Sequence, residues 1–408
     1  MTEQTNTPEL RFPEFKNEWS LSTIGALGDF YYGKSAPKWS ITEDVGIPCI
    51  RYGELYTKFN NVVKEIYSYS SMPKEKLRFS KGGEILIPRV GEDPLDFAKC
   101  VYLPQKDIAI GEMISVYNTK ENPLFLTYYF NTKMKYEFAK RVEGASVSNL
   151  YYSYLEDIKL KIPDIREQEK LGEFFSKLDQ QIELEEKKLE LLEQQKKGYM
   201  QKIFSQELRF KDENENEYPN WKTTELKDIL EKIVDNRGKT PDNTSNEKYP
   251  LLEVNALGFY YPSYKRVSKF VSENTYNNWF REHLKENDIL FSTVGNTGIV
   301  SLMDNYKAVI AQNIVGLRVN NNNIPSFVYY MLSYWENQKK IKRIQMGAVQ
   351  PSVKVSQFKF IKYLIPIKEE QGKIASLLSE IDKVINKQLI KIELLKQRKQ
   401  GLLQKMFV

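Results

Sequence analysis

Histidine is nearly missing from this 408-residue chain, which carries only His283. A histidine-based triad or a multi-histidine metal site within the chain is therefore all but excluded. His283 itself reads as an exposed or hydrogen-bonded surface side chain. Cysteine is almost as scarce. Cys49 and Cys100 are too few for a four-cysteine zinc site, and they argue against a disulfide framework. No apolar run approaches the roughly 20 residues needed to cross a bilayer, so no membrane role is expected. The opening "MTEQTNTPEL" is polar and shows no secretory signal, which leads us to expect a cytoplasmic protein. Neither sign of charge dominates. Sixty Lys and Arg stand against 54 Asp and Glu, a net charge of +6. That balance permits a polyanionic partner without requiring one.

What the chain does have is a repeat. "IPDIREQEKLGEFFSKLDQQIELEEKKLELLEQQKKGYMQKIF", from Ile162 to Phe204, aligns without a gap on "IPIKEEQGKIASLLSEIDKVINKQLIKIELLKQRKQGLLQKMF", from Ile365 to Phe407. Eighteen of the 43 paired positions are identical, among them Glu167/Glu370, Gln168/Gln371 and Asp179/Asp382. The preceding segments echo each other more faintly. "LRF" at Leu10 recurs at Leu208, Trp19 matches Trp221, and "GGEILIPRVG" resembles "ENDILFSTVG". "IPCIRYGEL" resembles "YPLLEVNAL", and "EGASVSNL" resembles "MGAVQPSV". The order is a variable domain (1–161), a helix (162–206), a second variable domain (207–364) and a second helix (365–408). Runs such as Ile85 to Val90 and Ile289 to Val294 read as strands ending at a glycine. A helix is expected around Pro325 to Arg343. The fold class is α+β, with two mixed α/β domains and two long antiparallel helices in a coiled coil.

The long helices carry a heptad seam. In the first it runs through Leu171, Phe175, Leu178, Ile182, Glu185, Leu189, Leu192, Lys196, Tyr199 and Ile203. In the second it runs through Ile374, Leu378, Ile381, Ile385, Gln388, Ile392, Leu395, Lys399, Leu402 and Met406. Both polar interruptions repeat, at Glu185/Gln388 and Lys196/Lys399. The narrow seam on otherwise charged helices favours packing of the helices on each other over packing only on their own domains. An antiparallel pair would bring Glu185 and Gln388 together and relate the halves by a dyad.

"GDFYYGKS", Gly28 to Ser35, spells the G-x-x-x-x-G-K-S of a phosphate-cradling loop. Its surroundings argue against one. "SLSTIGAL" before it is no continuous apolar strand, and Pro37 soon after it obstructs a long helix. The second half keeps Gly238-Lys239-Thr240 but lacks the earlier glycine. The shared turn reads better as a loop offering an amide, a hydroxyl and a cation to a nucleic-acid phosphate. "NPLF" at Asn122 departs from the Asn-Pro-Pro-aromatic pattern of adenine methyltransferases and sits at an expected helix start. No AdoMet loop or nuclease-like acidic cluster is evident, so no catalytic residue and no resident metal is assigned.

Two dissimilar domains, each followed by a closely similar helix, with "LRFPEF", "EW", "IP…EQ" and "GLLQKMF", resemble the specificity subunit of a type I restriction-modification system. The resemblance spans the whole chain. It implies two target-recognition domains, each reading one half of a bipartite double-stranded DNA site, with the spacer set by the helices. It implies methylation subunits, two in number, and restriction subunits as partners. AdoMet, ATP and Mg are then expected on those partners, with no cofactor on this chain. The low charge suggests that partners supply part of the phosphate neutralisation.

Candidate reading residues follow the two shared loops. In the first half these are Lys34, Ser35, Lys38, Arg51 and Arg89, with Arg89 the best placed for a guanine edge. In the second half they are Arg237, Lys239, Thr240, Thr293, Asn296, Gln312 and Asn313, where amides suit adenine. The alternative is a coiled-coil scaffold whose Tyr-rich domains bind proteins and no DNA.

Overall fold

The computed structural model describes residues 6–34, 37–144, 148–236 and 238–408. Ser35 and Arg237 lie outside the described residues. The chain packs as two compact units, Met1–Glu186 with Lys391–Val408, and Lys187–Ile390.

In the first unit a four-stranded antiparallel sheet has the order Gly28–Tyr32, Ile114–Thr119, Glu84–Pro88, Val101–Leu103. Every residue of Glu84–Pro88 is buried, as its near-continuous apolar run requires. Its side chains alternate between two cores. Ile85 and Ile87 join Phe125, Leu171 and Phe175, whereas Leu86 joins Ile50, Leu55 and Val116. A second sheet sets Ile47–Ile50 parallel to Lys106–Ile110. Ser20–Thr23 pairs with Lys159–Ile162, and the first long helix, Ile165–Phe204, begins just after that strand.

The second unit repeats this plan. Its four-stranded sheet runs Leu230–Val234, Ile314–Val319, Ile289–Ser292, Val300–Leu302. Tyr249–Leu252 lies parallel to Val309–Ile310. Lys222–Glu225 pairs with Lys362–Ile365, which leads into the second long helix, Lys368–Met406. The faint sequence echoes therefore mark equivalent strands. The helical region near residue 330 is two helices, Pro325–Ser333 and Trp335–Arg343. They part at Tyr334, whose backbone is extended and whose ring stacks on Phe204 at 5.0 Å.

The seam positions of both helices are buried or half-buried, while Leu184 and Leu191 beside them are exposed. Within the first unit Phe175 stacks on Phe407 at 5.4 Å, Asp179 pairs with Lys399, and Glu186 pairs with Lys396 at 2.7 Å. Rising numbers on one helix meet falling numbers on the other, so the pairing is antiparallel. Glu185, the first polar interruption, pairs with Lys391, and its counterpart Gln388 is buried. Within the second unit Lys196 meets Asp382 at 2.6 Å, and Ile203 and Phe204 share a core with Ile374 and Leu378.

The chain turns out of the first helix with Leu208 N donating to Lys202 O at 2.9 Å. The same bond recurs in the first unit between the chain's two ends, with Leu10 N donating to Lys405 O at 2.9 Å.

Two readings are sharpened. Gly28–Tyr32 is a β-strand, so the phosphate-loop pattern is not a loop over most of its length. Its glycines answer to backbone crowding. A Cβ on Gly28 would sit 2.3 Å from Asn118 O, and one on Gly33 would sit 2.0 Å from Gly111 O. The surface reading of His283 is corrected. The ring is half-buried and stacked on Tyr276 at 4.2 Å, and its Nδ1 has no hydrogen-bond partner. Stacking between aromatic neighbours, which sequence spacing does not reveal, draws it inward, and burial lowers its pKa.

Candidate nucleic-acid interface

The repeated motifs are anchors that hold each recognition domain on its helix. Arg11 of "LRF" grips the fully buried Glu167 through two bonds of 2.7 and 2.6 Å. Arg209 grips Glu370 in the same way at 2.7 and 2.8 Å. The neighbouring glutamine clamps the start of a domain helix. Gln168 Oε1 accepts from Asn122 N at 3.0 Å, and Gln371 Oε1 accepts from Ile324 N at 2.8 Å. Asn122, with Pro123 following it, also caps its own helix by accepting from Phe125 N at 2.8 Å.

A second repeated contact joins three elements. Asp179 Oδ2 accepts from the Tyr128 hydroxyl at 2.6 Å and from Asn61 at 2.9 Å, while Oδ1 accepts from Lys399. In the second unit Asp382 accepts from the Tyr330 hydroxyl at 2.7 Å and from Lys196 at 2.6 Å. Burial, with the adjacent aspartate, pushes both tyrosine hydroxyls well above their ordinary pKa. The lysines that interrupt the seam thus tie both helices to the domain through one carboxylate.

One end of each four-stranded sheet runs into loops. In the first unit Gly33 and Lys34 follow the first strand, with Lys34 N donating to Ile110 O at 2.9 Å. Arg89 follows Glu84–Pro88, with its N donating to Met113 O at 3.0 Å and its O accepting from Leu150 N at 2.9 Å. The Arg89 guanidinium lies 4.5 Å from the Tyr32 ring and 5.2 Å from the Tyr151 ring. Its Nε is buried with no hydrogen-bond partner, and no carboxylate pairs with it among the described residues. The two rings orient a planar cation whose terminal nitrogens make no hydrogen bond among the described residues. Tyr32 and Tyr151 were not among the sequence candidates. Their signals were the tyrosine run beside Gly33 and the separate run "LYYSY" from Leu150.

Lys34, Lys38 and Arg51 line one cavity of about 230 Å³, together with Tyr52 and Glu112. Lys38 and Arg51 also line the adjoining cleft of about 880 Å³. Cys49 lies at the cavity's side, and burial pushes its thiol up to about 11. It is therefore protonated and inert at neutral pH. Three of the five first-half candidates thus share one cavity, and Arg89 follows a strand of the four-stranded sheet.

The second unit presents the equivalent edge. Buried Asn236 holds the glycine turn, donating to Lys239 O at 3.0 Å and accepting from Gly238 N at 3.0 Å. Gly238 has φ +66°, a left-handed conformation that favours glycine. Lys239 and Thr240 are exposed on this turn. Thr293 takes the place of Arg89, its N donating to Asn313 O at 2.8 Å and its O accepting from Val353 N at 2.8 Å. The Thr293 side chain is buried at the root of the loop, while Asn296 and Gln312 are exposed and Asn313 is half-buried. The charge differs between the units. Glu253 stands where the first unit has Arg51 and pairs with Lys269 at 2.8 Å. Among the described residues no cluster of His, Cys, Asp and Glu could hold a metal ion, and no helix is long and apolar enough to cross a membrane.

Comparison with known proteins agrees with this duplicated plan. The chain is 25% identical over 299 residues to the type I restriction enzyme MjaVIII specificity subunit of Methanocaldococcus jannaschii, covering 70% of each. It is 29% identical over 275 residues to the putative MjaX specificity subunit of the same organism, covering 64% of this chain and 61% of that one. The S subunit of a type I restriction-modification system from M. genitalium has the same fold, with a TM-score of 0.62 at 18% identity over 98% of this chain and 99% of that one. A chain from a structural study of type I complex assembly and conformational transition gives 0.55 at 14% identity, over 97% and 98%. The family model for the type I restriction modification DNA specificity domain matches twice, at residues 16–194 and 218–395. The chain therefore belongs to the type I restriction-modification DNA specificity family, with one copy of its domain in each half.

Proposed function

We propose that the chain is the DNA-reading, non-catalytic subunit of a type I restriction-modification complex. Each unit reads one half of a bipartite site with the loops at its sheet end, and the helices set the unread spacer. The observation that carries this reading is the equivalence of the two edges. Equivalent strand ends bear Lys34 and Arg89, at two of them, in one unit, and Lys239, Asn296, Gln312 and Asn313, at three, in the other. Arginine suits a guanine edge and amides suit adenine, so the two units are built to read different bases. Methylation and restriction subunits supply AdoMet, ATP and Mg chemistry, and also part of the charge that a net +6 chain lacks.

The test is a domain exchange followed by mapping of methylated sites. Replacing residues 1–161 with the corresponding domain of a relative is expected to change one half-site and leave the other intact. Simultaneous change of both half-sites would reject independent reading. Absence of DNA binding, with and without the methylation partner, would favour the protein scaffold instead.

A further inference from the structure

Tryptophan is used in this chain mostly as core or as covered surface. Trp19 and Trp221 are buried, and Trp335 lies beneath the Lys339 ammonium at 3.8 Å. Trp335 is nonetheless 41% exposed and Trp279 is partly buried, and Trp39 is the most exposed of the five. Its side chain is 78% exposed, and its indole has no ring contact or hydrogen bond among the described residues. An indole so exposed offers a flat apolar face, with one polar N–H, to a ligand at this edge.

The backbone beneath Trp39 is held firmly. It sits in the 3-10 turn Lys38–Ser40. Ser40 is fully buried, and its N and Oγ donate to Pro37 O at 2.8 and 2.7 Å. Ser71 N donates to Ser40 O at 2.9 Å, tying the turn to the sheet. Cations outnumber acids beside it, with Glu112 the one acid among the residues that line the nearer cavity. Lys38, the preceding residue, lines the same cavity as Lys34 and Arg51. In the second unit the turn after the matching proline reads Pro241-Asp242-Asn243, with an acid for Lys38 and an amide for Trp39.

We propose that Trp39 is a wedge that inserts between base pairs at the edge of the first half-site, with Lys34, Lys38 and Arg51 holding the flanking phosphates. An apolar side chain inserted at a base step needs a stiff backbone behind it and cations beside it, because unstacking is offset only by contacts the deformed duplex then makes. Both are present at this turn of the first unit, and the aromatic is absent from the matching turn of the second. The first unit therefore reads partly through deformability at this turn, and the matching turn of the second unit does not. This inference rests on the DNA-reading function proposed above.

The probe is 2-aminopurine, placed singly at successive positions across and beside each half-site in duplexes bound by the full chain with its methylation partner. A fluorescence rise is expected at one step bordering the first half-site and at none bordering the second. Trp39→Ala should abolish the rise and weaken binding roughly 5- to 150-fold, the range of one base–aromatic stack. Trp39→Phe should retain much of both. Because Trp39 is exposed, neither change should alter the melting temperature. An unchanged fluorescence rise and affinity in Trp39→Ala overturns the wedge while leaving DNA reading intact. Weakened assembly with the methylation partner at unchanged DNA affinity also overturns it, and assigns Trp39 to a protein interface. Failure of the wild-type complex to bind any duplex overturns both readings.

Discussion

In the proposed DNA-reading role, Arg89 is a side chain oriented before any ligand arrives. Its guanidinium is stacked on Tyr32 and Tyr151 and has no carboxylate to leave, so little ordering cost remains to be met on binding. Arg89→Ala is expected to lose about 1–3 kcal/mol of discrimination at one base of the first half-site. Arg89→Lys should not restore it, because an ammonium neither stacks nor forks. Competition binding with single-base variants checks both, and a uniform loss across all sequences would mark a phosphate contact instead. A strand-end arginine was legible in the sequence. Its tyrosine bracket was not, since the two rings come from segments far apart in the chain. A different residue, Glu282, predicts a pH effect. Hydrogen bonds from Lys232 and then Arg318 hold its carboxyl down at about 2. Its folded pKa is depressed, so its contribution is present above the ordinary carboxylate range and is lost as pH falls from about 4 towards 2. Unfolding midpoints of Glu282→Gln and wild type should therefore differ at neutral pH and converge over that acid window.

At the level of elements, the polar breaks in the seam matter more than its apolar majority. The heptad spacing made both helices legible, and it placed Lys196 and Lys399 at inward positions. It could not say why a lysine belongs there. The answer lies on two other elements, the aspartate of the opposite helix and the tyrosine of a domain helix. A buried charge is tolerated when paired and hydrogen-bonded, and such a layer can fix register. Lys399→Met is expected to cost about 1.5–3 kcal/mol in the first unit by removing a hydrogen bond to a charged group. The double change Lys399→Met with Asp179→Asn should cost less than the sum of the single changes, because the stranded carboxylate is gone. Denaturant unfolding of the four proteins in the cycle measures this. The motif "EQ" was likewise readable as a repeat but not as an anchor, because Arg11 and Asn122 are remote from it in sequence.

For the molecule as a whole, duplication was visible in the helices and only faint in the domains, because strand plan tolerates substitutions that a heptad seam does not. The two reading edges differ for the same reason, with equivalent backbones and unrelated side chains. The ruler role of the helices can be tested by inserting four residues after Glu190 and after Glu393. Each insertion adds roughly 6 Å and about one turn, at the cost of a stutter in the seam. With about 3.4 Å per base pair the upper bound is roughly two extra spacer pairs, which rotation and DNA twist should reduce to about one. Mapped methylation sites should keep both half-site sequences, and an unchanged spacer with full activity would reject the ruler. The bond from Leu10 N to Lys405 O, matched by that from Leu208 N to Lys202 O, carries one more consequence. Leu10 meets Lys405 within the first unit as Leu208 meets Lys202 within the second. Linking Val408 to Glu9 through a single residue would reproduce the six-residue step from Lys202 to Leu208. That residue should be glycine, since its counterpart Gln206 has φ +64°, which proline at position 8 cannot adopt. A gene opened instead between Gln206 and Glu207 should yield a cyclic permutant that melts near the parent and methylates the same sites, with the order of its two reading units along the gene reversed.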